Sequence, residues 1–405
     1  MSIQAQPIPQ RPSAEPLPPP TERFTVLGWL YKNLFNTWYN ALLTVVMVML
    51  IALAVRAVGE WALNVARWEV ITANLRLFAV GQYPITALWR AWACVVVLWA
   101  LAGLSLGLWS RRAYGSIALL LAFPFVLGIL AQDETTRWAL LGAAAAAAAG
   151  FLLGQLRQRW LRRLALAGWV AYFPLVIVLI AGLGSEAPLL PSVPTNLWGG
   201  LLLTLLLTVV GIVFSFPLGV LLALGRRSKL PILSALSVIY IEVIRGVPFV
   251  TVLFMAQLML PLFLPGVTID RVVRAMAGVV LFSAAYLAEN VRGGLQAIPR
   301  GQYEAAYALG FKPWQTTLLI ILPQALKAVI PILVGQFIAL FKDTSLVVIV
   351  GLLDLMGIAK TVLAQPDFLG LQAEVYAFVA LVYGVFSFLM SALSQRLEQR
   401  LNTAR

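Results

Sequence analysis

Histidine is absent from this chain of 405 residues, and cysteine occurs once, at Cys94. The first absence removes the usual proton shuttle, the commonest metal ligand and every histidine-based triad. The second leaves no partner for a disulfide and no zinc site; Cys94 sits in an apolar segment and reads as inert packing. Charge is scarce, at 11% of residues. No Gly-x-x-x-x-Gly-Lys-Ser/Thr run occurs, so the chain carries no recognisable phosphate loop for ATP. Without histidine or clustered carboxylates in a shared site, a membrane-bound enzyme has no visible machinery.

What is abundant is apolar surface. Hydrophobic residues make up 61% of the chain and the mean hydropathy is +0.91. A helix needs about 20 apolar residues to cross a bilayer core, and roughly ten such stretches occur. The runs are continuous rather than alternating, which excludes a barrel. The expected fold is all-α, a polytopic transmembrane helical bundle of about ten spans. They lie at about 38–58, 88–109, 115–131, 138–155, 164–184, 196–225, 240–264, 273–291, 324–341 and 374–395.

The net charge of +13 reflects topology. Arg23 and Lys32 precede the first span, and Arg111, Arg112, Arg157, Arg159, Arg162 and Arg163 follow the second and fourth. Arg226, Arg227, Lys229, Arg292, Arg300, Arg396, Arg400 and Arg405 follow later even-numbered spans. All fall on one side if ten spans alternate, and the excess of Lys and Arg on cytoplasmic loops makes that side the inside. Both termini are then cytoplasmic, as is the segment 292–323. The other side carries Glu60, Asp133, Glu134, Glu186 and Asp367, with Arg67, Arg76, Arg137 and Arg271 as exceptions. Basic residues scattered between spans do not make a nucleic-acid surface.

The organisation reads as follows. Residues 1–37 form a disordered cytoplasmic tail, proline-rich over 1–23. A five-span extension covers 38–190, where the run Ala143 to Ala149 favours helix and lets helices approach closely. The working domain spans 195–395, and 396–405 is a cytoplasmic tail. The segment Ser345 to Lys360 is broken by Gly351, Asp354 and Gly357; counting it as a span would send the C-terminal arginines outside. It reads as a re-entrant or partial helix lining a cavity.

Four stretches carry a resemblance: Glu242-Val-Ile-Arg-Gly-Val-Pro248, Ala285-Tyr-Leu-Ala-Glu-Asn-Val-Arg-Gly-Gly294, Gly301-Gln-Tyr-Glu-Ala-Ala306 continuing to Gly310 and Ile320-Ile-Leu-Pro323, and Lys342-Asp-Thr-Ser-Leu346. In this order they resemble the polar amino-acid permeases of ABC importers. The stretch Trp68 to Phe78, with Gly81-Gln-Tyr-Pro84 and Leu88-Trp-Arg90, looks like the larger permease subunit of general L-amino-acid importers, which has extra N-terminal spans. The resemblance implies a bacterial inner-membrane subunit with ABC ATPase subunits, a paralogous permease as heterodimer partner and a separate periplasmic amino-acid-binding protein. ATP would be bound by the ATPase, with no cofactor or metal in this chain, and the cargo would be an L-amino acid.

The resemblance makes Glu304, Ala305, Ala306, Gly310, Lys312 and Trp314 the ATPase-coupling residues; the other reading is an ordinary interfacial helix. The residues agree with coupling. Glu304 near a helix start suits the dipole, Gly310 ends or bends the helix, and Pro323 marks entry to the next span. Glu242 and Arg245, like Glu289 and Arg292, stand at i, i+3, where each pair can close an ion pair. They serve either as helix-end electrostatics or as an inner gate. Asp354 lies in an apolar run, where a carboxylate costs on the order of 2.5–3.5 kcal/mol. It belongs to the substrate path, pairs internally with a cation such as Lys342, or sits nearer the interface. Lys342, Asp343, Thr344 and Ser345 are further path candidates. Thr204, Thr208, Gln257, Ser283 and Gln336 suit helix-helix hydrogen bonds. The rival function, an ion-coupled secondary transporter, needs ionisable groups deep in several spans, and Asp354 is nearly alone.

Overall fold

The computed structural model describes residues 26–109, 114–130, 133–184, 187, 190–263, 265–266 and 268–402. The tail over 1–23, Arg111, Arg112, Glu186 and Arg405 lie outside the described residues. The chain divides into two units, Met1–Trp68 and Glu69–Arg405.

In the first unit a short helix, α1 (Val26–Leu34), lies inside the stretch expected to be structureless through 37. The Thr44 hydroxyl donates to the Leu34 carbonyl and ties α1 to α2 (Trp38–Glu60). α2 is apolar on every side and long enough to span a membrane. A wide π turn, Trp61–Val65, closes it, and the Trp68 indole donates to the Ala62 carbonyl.

The second unit begins with α3 (Glu69–Val80), then α4 (Leu88–Trp109), α5 (Tyr114–Leu130), α6 (Glu134–Gln155) and α7 (Arg159–Ala181). α4 and α6 meet backbone to backbone. A β-carbon added at Gly103 would stand 2.1 Å from the Ala147 carbonyl oxygen, and one at Gly150 2.4 Å from that of Ala100. Gly103/Gly107 and Gly150/Gly154 thus form facing Gly-x-x-x-Gly seams, which bring helices together where apolar burial gives no net drive. The alanine run supplies Ala143 and Ala147 to the same contact, both fully buried. At the N-terminus of α6, Asp133 accepts from the Thr136 N–H, which holds its carboxyl below the ordinary range. Arg90 of α4 is buried and donates to the Pro191 carbonyl, while the Tyr83 hydroxyl donates to that of Ile180.

The remaining helices are α8 (Gly200–Arg226), α9 (Pro231–Gly246), α10 (Phe249–Phe254), α11 (Leu260–Phe263), α12 (Arg271–Ala297), α13 (Arg300–Ala308), α14 (Pro313–Gln315), α15 (Leu322–Asp343), α16 (Leu355–Leu363) and α17 (Gln372–Asn402). Eight helical stretches among the described residues are long and apolar enough to span a membrane; α9 with α10–α11 makes a ninth if counted together, and α5 is a shorter apolar helix.

Four details depart from the sequence expectation. The stretch 240–264 is not straight: it bends by 107° at Val247-Pro248. Proline disfavours the helical region for the residue before it, and Val247 is extended at φ −108°, ψ 135°. The span expected at 324–341 starts earlier, at Pro313. Pro323 sits inside it, just after a π turn over Thr316–Ile321, where the Leu322 N–H reaches back to Thr317. Pro323 therefore stands in the first turn of α15, as expected, directly after a widened turn. The segment expected as a C-terminal tail from 396 is helix as far as Asn402. Finally, Thr208 bonds within its own helix and the buried Ser283 hydroxyl has no partner, so neither bridges helices. Gln257 does, donating to the Arg271 carbonyl while its own carbonyl accepts from Arg274.

Candidate functional site

At one end of the bundle three helices bring their charges together. The last turn of α8 carries Arg226, α9 carries Glu242 and Arg245, and α12 carries Glu289 and Arg292. Glu289 is the hub. Its carboxylate accepts from Arg292 one turn along the same helix at 2.9 Å, lies 3.3 Å from Arg226 and 3.7 Å from Arg245. The predicted Glu289–Arg292 pair forms, but Glu242 does not pair with Arg245. Glu242 binds Arg226 at 2.9 Å, and Arg245 turns to Glu289 and the Tyr286 ring. Two carboxylates hold three guanidiniums; the Glu289 side chain is 22% exposed, so its contacts are less screened than a surface pair, while Glu242 is 54% exposed. Arg226 was legible only as one of several basic residues after a span; what makes it the cross-link is the arrival of α12 beside α8.

The short helix α13 hangs from this end. Arg227 donates to the Leu295 carbonyl at 3.2 Å and to the Tyr303 hydroxyl at 3.3 Å. Gln324 donates to Gln302, and Ala306 is buried. Gly310 ends the helix in the left-handed region at φ +80°. The N–H groups of Gly310 and Phe311 turn back to the carbonyls of Tyr307 and Ala306, a Schellman closure that needs glycine at this position. Arg300, not Glu304, occupies the first turn, so Glu304 stands too deep for the dipole contact expected of it. Glu304, Ala305, Lys312 and Trp314 are exposed; with Tyr307 and Leu309, the latter 77% exposed, they make an apolar and aromatic patch on a charged end.

Deeper in the bundle, α15 runs into a 3-10 turn over Thr344–Val350, and Gly351 reverses the chain at φ +78°. Asp354 is fully buried and caps α16: its oxygens accept from the N–H groups of Met356 and Gly357 and from the Tyr383 hydroxyl. No ion pair joins it to Lys342 among the described residues. Among the described residues this buried carboxylate makes hydrogen bonds and no ion pair. Gly200 and Thr204 of α8 complete the anchor, the first donating to the Leu353 carbonyl and the second accepting from the Leu355 N–H. α16 spans nine residues, too few to cross a membrane. Lys342 and Ser345 line a cavity of about 300 Å³ with Met356, Tyr376 and Tyr383; Asp343 is partly buried, and the buried Thr344 hydroxyl donates to the Phe341 carbonyl.

A bundle of many long apolar helices, with a capped and exposed short helix braced on an ion-pair hub, defines an integral membrane protein. Residues 215–403 match the family described as the binding-protein-dependent transport system inner membrane component. The chain is 41% identical over 399 residues to the inner membrane amino-acid ABC transporter permease protein YhdY of Escherichia coli K12, covering 97% of this chain and 98% of the relative. It is 38% identical over 435 residues to the glutamate/glutamine/aspartate/asparagine transport system permease protein BztC of Rhodobacter capsulatus, covering 95% and 96%. The glutamate/aspartate import permease protein GltK of Escherichia coli O6:H1 is 39% identical but matches only 52% of this chain, while 96% of that relative is covered. The chain belongs to the family of amino-acid ABC transporter permeases, and is a multi-span subunit of the inner membrane.

Proposed function

We propose that this chain is the membrane-spanning permease subunit of an ATP-driven importer of L-amino acids. ABC ATPase subunits dock on α13 and the turn after it, at Glu304, Ala305, Ala306, Gly310, Lys312 and Trp314. A periplasmic binding protein delivers the amino acid at the other end, and a related permease completes a heterodimer. Both termini lie in the cytoplasm. The chain carries out no covalent chemistry and holds no cofactor; ATP belongs to the ATPase. The names of YhdY, BztC and GltK support an L-amino-acid cargo.

The observation that carries the reading is the exposed patch on a helix whose ends are fixed. Schellman closure at Gly310 and the Arg227–Tyr303 tether let a push on α13 pass to α8 and α12 instead of being absorbed locally. The Glu289 hub is then the inner brace that rearranges when the cavity changes its opening. Lys342, Asp343, Thr344, Ser345 and Asp354 belong to the substrate path, with Asp354 setting the position of α16. ATP and loaded receptor shift the equilibrium between inward- and outward-open states only by their differential affinity for the two.

The test is uptake by proteoliposomes holding this permease, its partner, the ATPase and the receptor. Accumulation of L-amino acids is expected to require ATP and receptor and to persist with ionophores. Uptake driven by an ion gradient without the ATPase would establish the secondary-transporter reading instead.

A further inference from the structure

α12 starts at Arg271 and its other end leads into α13, so its first turn lies about 40 Å from the coupling end, at 1.5 Å per residue. There a cavity of about 540 Å³ opens between residues 192–198, the start of α12 and the loop 351–353. That volume falls in the range of small-ligand sites, roughly 300–1,000 Å³.

Its wall holds charges of both signs. Asp270 caps α12, accepting from the Val272 N–H at 2.8 Å and from Val273 at 3.2 Å, and also accepts the Thr195 hydroxyl. Arg271 donates to the carbonyls of Val350 at 3.3 Å and Gly351 at 3.4 Å, both long bonds that leave most of its donors free. A β-carbon at residue 351 would stand 2.9 Å from that guanidinium, so glycine makes room for it. Asp270 and Arg271 are exposed and do not pair with each other among the described residues. Trp198 also lines the cavity and is 7% exposed.

We propose that this cavity is an outer entry site for a free amino acid in its zwitterionic form. Arg271 receives the carboxylate, and Asp270 receives the ammonium. Two charges of fixed sign favour a molecule carrying both, and reject one carrying either alone. The site rests on the importer reading and adds where the cargo first touches this chain.

The test uses the permease assembled with its partners, with Asn196→Cys at the cavity wall as the only thiol in a Cys94→Ala background. A millimolar mixture of the twenty L-amino acids should slow maleimide labelling of that thiol several-fold. Ammonium acetate, which carries the same charges on separate ions, should not. Asp270→Asn keeps an oxygen to cap α12; it and Arg271→Gln should each raise the half-protecting concentration about tenfold or more. Unchanged labelling with the amino-acid mixture, or protection that survives both substitutions, overturns the site. ATP-driven uptake is measured on the same preparation. Intact uptake without protection removes the entry site and leaves the importer reading standing; absent uptake of every L-amino acid removes that reading whatever the labelling does.

Discussion

The α4–α6 seam and the α8–α9–α12 end solve the same problem, holding helices together in lipid, by opposite means. The seam removes side chains: Gly103, Gly107, Gly150 and Gly154 let backbones touch, and Ala143 and Ala147 fill what remains. The other end adds charge: Glu289 gathers Arg226, Arg245 and Arg292, and Arg227 tethers α13. Close packing has one arrangement and resists change. A hub of one carboxylate and three guanidiniums has several partner choices of similar energy. The first suits a fixed scaffold and the second a part that switches.

The sharpest break of that contrast is at the seam. Gly150→Leu forces a side chain against the Ala100 carbonyl, and overpacking of this kind costs about 1–3 kcal/mol or more. A large fall in thermal stability of the purified protein is expected, with uptake per folded molecule little changed. Lost uptake at full stability would place switching in the seam as well. Glu289→Gln leaves three guanidiniums with Glu242, bound to Arg226, as their one carboxylate. The groups are partly solvated, so the cost is about 1–2 kcal/mol, below the roughly 3–5 kcal/mol of a fully buried pair. Here uptake and ATP-hydrolysis coupling should fall more than melting temperature does.

Asp354→Asn keeps one acceptor for the α16 cap and replaces the other by a buried donor, so a modest fall in stability is expected. Uptake of basic amino acids should drop more than that of neutral ones, because a negative charge near the path favours cations. Equal loss across substrates would make Asp354 a structural anchor alone. The smallest effect belongs to Asp133→Ala, which removes the α6 cap. Asp133 has its carboxyl held below the ordinary range, so its contribution is present above that range and fades as pH falls through the lowered value. The melting-temperature difference between parent and variant should therefore shrink in acid.

Much of this architecture is legible in the sequence because lipid enforces it. Long apolar runs mark the spans, and Gly310 marks the end of α13. The glycine seam is legible too, as Gly-x-x-x-Gly in two helices, although the alanine run beside it is the more conspicuous feature. What local spacing does not give is the partner across helices. Glu242 and Arg245 stand one turn apart, yet Arg226, arriving from α8, captures the carboxylate. Asp354 reads as a charge in search of a cation, and its actual partners are two backbone N–H groups and Tyr383, 29 residues on. The break at Val247-Pro248 is visible as a proline, but the size of the bend is fixed by packing of the helices on either side.

The central claim is that α13 transmits force from another protein, and Glu304→Lys tests it most directly. Glu304 is exposed, so the variant should insert, fold and assemble with its partner permease. Capture of the ATPase by affinity-tagged permease and amino-acid uptake are measured on the same membranes. The account predicts that captured ATPase falls about tenfold, equivalent to about 1.4 kcal/mol at the contact, and that uptake is abolished. Parent-level uptake with undiminished ATPase capture would contradict it.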